Sequence, residues 1–191
     1  GFLPDIRRIL THLPRDRQTL LFSATMPQEI RHLARDVMKE PVIIQVGEAA
    51  PVDTVNHAIY PVASHLKTPL LLSLLNHSDT KSVLVFARTK HRTKRLAEQM
   101  VKAGHRAASL QGNLSQSQRE AAMGGFRAGK FRILVATDIA ARGIDVTHIS
   151  HVINYDIPST TDAYIHRIGR TGRAERSGDA YTLVTGEDKI M

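Results

Sequence analysis

Short runs of aliphatic, mostly branched residues recur along the chain and constrain its fold more than any other feature. They are TLLF at 19–22, VIIQV at 42–46, VLVF at 83–86, ILVA at 133–136 and VINY at 152–155. Because these runs do not alternate with polar residues, they predict strands that are buried on both faces. The segments between them have helical character at about 27–38, 65–76, 90–103, 115–128 and 161–169. This alternation predicts an α/β fold with a mainly parallel sheet and helices on both faces.

A break in this pattern divides the chain. Residues 47–55 have no periodicity and contain Gly and Pro, which is typical of a linker. Residues 1–46 supply only two predicted strands and two helices, too few to bury both faces of a parallel sheet. We therefore expect them to be the end of a domain whose beginning is missing, and the chain to be a fragment. Residues 56–191 have a complete pattern, from a predicted strand at 56–62 to a last one at 180–184.

The net charge of +8 is concentrated in the second segment. Residues 1–55 are neutral overall, so all the excess of Lys and Arg over acids lies in residues 56–191. This asymmetry indicates an anionic partner, which by charge alone could be nucleic acid, a membrane surface or a phosphorylated metabolite. The chain has no Cys, no apolar run of about 20 residues and no metal-binding His spacing. We expect a cytoplasmic protein without a metal site of its own or a membrane contact.

The octet HRIGRTGR at 166–173 contains three arginines and no acid. On one continuous helix, His166, Arg170 and Arg173 would share a face, because they are spaced i, i+4 and i+7. Guanidinium groups are permanently charged forks that suit phosphate. The octet therefore favours a polyanion site. The alternative is an exposed basic helix that pairs with distant carboxylates.

Residues at the predicted strand ends are further candidates, since ligands of parallel α/β sheets bind there. Arg88 and Thr89 follow the strand at 83–86, with Thr89 a predicted helix N-cap. Cations at a helix N-terminus oppose the macrodipole, and a bound phosphate would offset that cost. We interpret the next cations as the solvated side of the helix; they are Arg92, Lys94 and Arg95.

Two further regions carry polar groups, one before the predicted helix at 115–128 and one after the predicted strand at 133–136. Ser115 and Gln118 have the spacing of a capping box, which leaves Gln116 and Arg119 available for a partner. Beyond the strand at 133–136, Thr137 or Asp138 can cap a short helix that Gly143 ends. Capping does not explain the last pair of this region, Arg142 and Asp145, and an acid near a glycine turn can bind ribose hydroxyls.

Two other motifs are weaker. Ser23 and Thr25 follow the first run, although Thr25 before Pro27 could be an ordinary helix cap. The segment 124–131 nearly matches the phosphate loop G-x-x-x-x-G-K-[ST], but Phe131 stands where a hydroxyl is required. We interpret Gly129 as the end of a helix, and the chain has no Walker A sequence.

Taken together, these motifs resemble the DEAD-box RNA helicases of superfamily 2, over nearly the whole chain. Ser23-Ala24-Thr25 resembles motif III, residues 85–89 motif IV, and the octet motif VI. Residues 111–119 are similar to the segment with the family's Q-x-x-R, and residues 136–145 to motif V. The amino-acid sequence around residues 1–4 and 21–27 is most similar to that of bacterial RhlE-like members.

The resemblance implies two RecA-like domains that close over ATP and single-stranded RNA. Residues 1–46 would end the first, 47–55 would link them, and 56–191 would form the second. Arg170 and Arg173 would be arginine fingers toward the γ-phosphate, and Asp145 would contact the ribose. His166 would couple to the acidic box and motif III, while Ser23, Thr25 and Arg167 would couple nucleotide binding to closure. The RNA backbone path would be lined by Arg88, Thr89, Gly112, Gln116, Arg119, Thr137 and Arg142.

The implied activity is ATP-dependent unwinding of short RNA duplexes or remodelling of RNA–protein complexes. ATP and Mg²⁺ would be bound by the full-length enzyme, and neither would be bound by this fragment alone, which we expect to be inactive. Expected partners are RNA and the rest of the first RecA-like domain, with a dimer through residues 1–46 as a further possibility. Two alternatives stay open: a non-catalytic RNA-binding module and a superfamily 2 DNA helicase.

Overall fold

The computed structural model describes residues 3–23, 26, 28–44, 54–77, 80–141, 146, 149–172 and 177–188. Four of the predicted site residues lie outside the described residues, as does most of the predicted linker; the four are Thr25, Arg142, Asp145 and Arg173. The chain forms two compact units, Gly1–Ala49 and Ala50–Met191.

The first unit contains two helices, α1 (Leu3–Thr11) and α2 (Gln28–Val37). A salt bridge of 2.8 Å joins Arg7 of α1 to Asp36 of α2. The prediction of strands at 19–22 and 42–46 is wrong for the described residues of these segments, 19–22 and 42–44, which have no regular secondary structure. Most apolar side chains there are exposed, with Phe22 at 88%. A strand needs neighbours for its backbone N–H and C=O groups, and the described part of this unit offers none.

The second unit is built on a six-stranded sheet in the order β1-β6-β5-β2-β4-β3, in which every pair is parallel. The strands are β1 (Val55–Pro61), β2 (Val83–Phe86), β3 (Ala107–Leu110), β4 (Ile133–Ala136), β5 (His151–Asn154) and β6 (Gly178–Val184). The helices are α3 (Lys67–His77), α4 (Lys90–Lys102), α5 (Gln116–Arg127), α6 (Asp138–Ala141) and α7 (Thr161–Ile168), and a 3-10 turn at Ser64–Leu66 precedes α3.

Helices cover both faces of the sheet, as the unbroken apolar runs predict. On one face, side chains of α3 and α4 such as Leu71 and Met100 pack on Val83 and Val85 of β2. On the other, α5 and α6 pack on the alternate residues Leu84 and Phe86. Because successive strand residues point to opposite faces, both faces need apolar side chains, and no polar alternation remains in the sequence.

The predicted strands of this unit are confirmed. Those at 83–86 and 133–136 match β2 and β4 residue for residue, and the other three differ from β1, β5 and β6 by one or two residues at an end. Strand β3 was not predicted, because its sequence AASL has only one large apolar residue. It is an edge strand that pairs with β4 alone, so it needs less apolar surface than the central strands.

The chain order places a switch point at the centre of the sheet. From β2 the chain builds β3 and β4 on one side, and then passes to β5 and β6 on the other. In open α/β sheets, ligands bind at such a point, outside the carboxyl ends of the strands. No helix among the described residues is long and apolar enough to span a membrane.

Candidate functional site

Residues predicted to bind RNA gather at the carboxyl ends of three adjacent strands. Arg88 and Thr89 follow β2, Thr137 follows β4, and Gly112 follows β3, while β4 lies between β2 and β3. A backbone hydrogen bond of 3.3 Å from Thr137 to Leu110 ties the ends of β4 and β3 together. The fold therefore brings groups from separate parts of the sequence to one edge.

Thr89 is the N-cap of α4, as predicted. Its side-chain oxygen accepts a hydrogen bond of 3.2 Å from the backbone N–H of Arg92. Arg88 precedes it with an exposed side chain, and its backbone N–H donates to Asp156 at 2.8 Å. The backbone at Arg88 is thus anchored while its guanidinium faces solvent. This arrangement suits an arginine that binds an incoming anion.

The start of α5 is held by the predicted capping box. The Ser115 and Gln118 side chains each accept from the other residue's backbone N–H. Gln116 is exposed and its amide donates to Glu120 at 2.8 Å. Arg119 is half-buried and donates to the carbonyl of Ala140 in α6 at 3.3 Å. Capping and the Arg119 contact hold the first turn of α5 beside α6, at the edge where Thr137 lies.

A network of charged side chains, centred on two buried residues, lies next to this edge. Asp156, which follows β5 and is 3% exposed, lies 2.6 Å from Arg92 and 3.9 Å from Lys67. Lys67 is itself buried and lies 3.6 Å from Asp188. Arg88 reaches Asp188 loosely, at 3.9 Å. Buried charges are stable only when paired, so the network locks the ends of β2, β5 and β6 together.

This network corrects one interpretation and adds residues that the sequence reasoning missed. Arg92 is not simply part of a solvated helix side, because it pairs with a buried carboxylate. Asp156 could have been found by the same reasoning as Arg88, since it too follows a buried apolar strand. Lys67 and Asp188 carry no signal of that kind, because their pairing depends on elements that are distant in sequence.

The Asp188 carboxyl has a lowered pKa. Burial alone would raise this pKa, but hydrogen bonds from the Thr185 backbone and hydroxyl, together with the charges of Lys67 and Arg88, outweigh it. A carboxyl whose folded-state pKa is lowered stabilises the fold above its unfolded pKa and loses that effect as pH falls through the folded value.

We therefore predict an acid-dependent role for Asp188. The difference in free energy of unfolding between wild type and Asp188→Asn should be constant near neutral pH. This difference should become smaller as pH falls below 3.8, the ordinary pKa of an aspartate carboxyl. Urea unfolding of both proteins at a series of pH values measures the difference. A difference that stays constant down to about pH 2 would contradict the prediction.

The octet does not form one helical face, so that expectation is wrong. Helix α7 ends at Ile168 and Gly169 is its C-cap, with its N–H bonded to the Ile165 carbonyl. Beyond the helix, Gly172 has a φ of +67° and its Cα lies so close to β1 that a Cβ would be 2.6 Å from Val55. Gly169 therefore ends the helix, and Gly172 turns the chain toward the sheet.

Arg167 is the buried member of the octet, at 3% exposure. Its Nε and Nη2 donate to the two carboxylate oxygens of Asp138 at 2.6 and 2.8 Å, and its Nη1 donates to the Asn154 side-chain oxygen and to the Asp156 carbonyl. It also lies 4.8 Å from the centre of the Phe86 ring. Arg167 therefore joins α7 to α6 and to the ends of β5 and β2. Its assignment to coupling stays a prediction.

The other octet residues have different surroundings. His166 is exposed on the last turn of α7, and Arg170 is half-buried just beyond it. Thr171 anchors this turn by donating to the Ile149 carbonyl at 2.6 Å. Ser23, the described member of the first motif, is exposed in the first unit. No group of three His, Asp or Glu residues within the described part of the chain could hold a metal ion.

Comparisons with known proteins agree with the geometry. A family model described as the helicase conserved C-terminal domain matches residues 66–175. The DEAD-box ATP-dependent RNA helicase CshA of Geobacillus kaustophilus is 44% identical over 97% of this chain and 40% of its own length. The solved structure of the E. coli DEAD-box protein SrmB bound to regulator of ribonuclease activity A is 41% identical. It has a TM-score of 0.64, over 66% of this chain and 75% of that one. This chain belongs to the DEAD-box helicase family.

The DEAD-box fold of the chain is RecA-like, as the resemblance implied. The structure of S. cerevisiae Dbp5 bound to RNA and ADP BeF3 has a TM-score of 0.86 and 31% identity, over 99% of this chain and 50% of that one. The chain spans about two fifths of the length of the curated DEAD-box relatives it matches. The RhlE-like subgroup, the roles of the individual site residues and the cytoplasmic location stay predictions.

Proposed function

We propose that this chain is the C-terminal part of an ATP-dependent RNA helicase that unwinds short RNA duplexes or remodels RNA–protein complexes. The observation that carries the proposal is the carboxyl edge of β2, β4 and β3, where Arg88, Thr89, Gly112 and Thr137 gather. Groups of these types contact phosphates and 2′-hydroxyls without reading sequence. We assign Gln116, Arg119 and Arg142 to RNA binding as well, with Arg142 outside the described residues.

In this proposal, the contacts to ATP are divided between the two RecA-like domains. Arg170 and Arg173 would approach the γ-phosphate from this domain, and Asp145 would bind the ribose. Mg²⁺ and most phosphate contacts are assigned to other parts of the protein, since this chain has no phosphate-loop sequence. Because the positive charge for phosphoryl transfer is split between domains, hydrolysis would depend on their closure. RNA that bridges both domains would favour closure, and His166, Ser23, Thr25 and Arg167 would couple the two events.

The first unit exposes several large apolar side chains, which fits this scheme. The side chains of Leu20, Phe22, Val42, Ile43 and Ile44 are 68–88% exposed. Where exposed apolar side chains are contiguous, they are normally covered by a partner. We propose that the rest of the first RecA-like domain covers these side chains, with a dimer as the alternative. Sedimentation of the full-length protein separates the two, since a monomer supports the first and a dimer the second.

The test is nucleic-acid-stimulated ATP turnover of the full-length protein. RNA should raise the rate of phosphate release, and DNA of the same sequence and length should not, because a path that contacts the 2′-hydroxyl distinguishes the two. Equal stimulation by DNA would favour a superfamily 2 DNA helicase. RNA binding without any turnover would favour a non-catalytic RNA-binding module.

A further inference from the structure

The excess of positive over negative charge in the chain is concentrated in one segment at an edge of the sheet. Residues 88–132, which include α4, β3 and α5, hold eleven Lys and Arg residues and only two acids. Their net charge of +9 exceeds the +8 of the whole chain, so the remainder is slightly acidic. The RNA path assigned above uses only Arg88 and Arg119 of these eleven cations. The other nine need a separate explanation.

Several of the nine make internal contacts. Arg92 pairs with Asp156, Arg106 donates to the Gly129 carbonyl at 2.8 Å, and Arg132 donates to the Leu75 carbonyl at 2.9 Å. Lys94 lies 3.9 Å from Glu98, but both side chains are more than half exposed. An exposed pair of this kind contributes little to stability. The other six cations are exposed; they are Lys90, Lys94, Arg95, Lys102, Arg127 and Lys130.

Four basic residues of α4 lie on one exposed face of the helix. Its buried face consists of Thr93, Leu96, Ala97 and Met100, which pack on the sheet. The opposite face carries, at helical spacing, His91, Lys94, Arg95 and Lys102, which we call the α4 basic face. At 1.5 Å per residue this face is about 16 Å long. Only Glu98 interrupts it.

The α4 basic face begins where the proposed RNA path ends. Helix α4 follows Arg88 and Thr89 directly, and its first turn contains no acid. Lys90 donates to the Asn113 side chain at 3.1 Å, which joins this turn to the loop beside Gly112. A nucleic acid strand that leaves the edge at Arg88 therefore meets the α4 basic face next.

The side chains on and around the α4 basic face indicate which part of an RNA it would bind. Between residues 88 and 132 the Phe, Tyr and Trp side chains are limited to Phe126 and Phe131, and neither is exposed. A surface without aromatic platforms binds phosphates and does not stack bases. Resting on the function proposed above, we propose that the α4 basic face is a further RNA-binding surface that holds the phosphate backbone of RNA extending beyond the cleft.

The experiment compares a short and a long RNA on the full-length protein. In Arg95→Glu/Lys102→Glu, the affinity for a single strand of about 30 nucleotides should fall by about tenfold, and the salt dependence of log K should become shallower by about 1.4. The affinity for a strand of about 6 nucleotides, which fits within the cleft, should change by less than about twofold. Fluorescence anisotropy measures both.

The matched control is Lys81→Glu/Arg15→Glu, which changes the net charge equally at two exposed positions that do not belong to α4. It should leave both affinities near wild type. Equal losses for both RNAs, or equal losses in the control, would overturn the proposal. An unchanged affinity for the long RNA would also overturn it and would favour an acidic protein as the partner. A wild-type protein without RNA-stimulated turnover would instead overturn the proposed function itself.

Discussion

Arg170→Ala is expected to lower the RNA-stimulated ATP turnover of the full-length protein by about a thousandfold or more, while ATP affinity changes little. An arginine supplied across a domain interface to the γ-phosphate accounts for about 10³–10⁵ in the rate of phosphoryl transfer. Arg170 follows α7 directly, in a turn that the Thr171 hydrogen bond to Ile149 anchors. Phosphate release under saturating RNA measures the rate, and a fluorescent ATP analogue measures the affinity.

Two controls make this result specific. Lys81→Ala removes an exposed cation far along the chain from α7 and should leave turnover near wild type. The RNA affinity of Arg170→Ala, measured by anisotropy, should also be near wild type, because the arginine is assigned to ATP. Turnover within about tenfold of wild type would refute the assignment as an arginine finger.

Arg167→Lys is expected to destabilise this chain by about 2–5 kcal/mol although it preserves the charge, because each buried acceptor left unsatisfied costs about 1–3 kcal/mol. Lysine has no planar fork, so it cannot reproduce the paired contacts to Asp138 together with those to Asn154 and the Asp156 carbonyl. The lost contacts leave buried acceptors unsatisfied. The midpoint of thermal unfolding, followed by circular dichroism, should fall by about 10 °C.

The matched variant for this prediction is Asp138→Asn. Asp138 is 46% exposed, so water can replace part of its contact and the loss should be clearly smaller than for Arg167→Lys. Equal losses for the two variants would show that the stabilising contact is the ion pair alone. A thermal midpoint of Arg167→Lys within about 2 °C of wild type would refute the structural role.

Sequence reasoning predicted best where a single physical signal dominates. The central strands β2 and β4 were predicted to the residue, because burial on both faces leaves an unbroken apolar run. The caps at Thr89 and Ser115 were also predicted, since side-chain capping depends on residues only three positions apart. The edge strand β3 was missed because its sequence is weakly apolar.

The errors share a different cause, which is dependence on distant parts of the molecule. The runs at 19–22 and 42–46 have strand composition but pair with no strand in the described unit. The octet has the spacing of a helical face, yet the close approach of Gly172 to Val55 belongs to a turn. Arg92 looked solvated because its partner, Asp156, is 64 residues away in sequence.

The α/β class, the central strands, the helix caps and the family resemblance can be read from the sequence, because each is encoded by neighbouring residues or ordered motifs. Which cations are structural and which face solvent depends on the folded chain. Arg92 and Arg167 are held by carboxylates from distant elements, whereas the α4 basic face remains exposed. A charge has the same sequence signature whether or not it is paired, because its partner depends on which elements are neighbours in the fold.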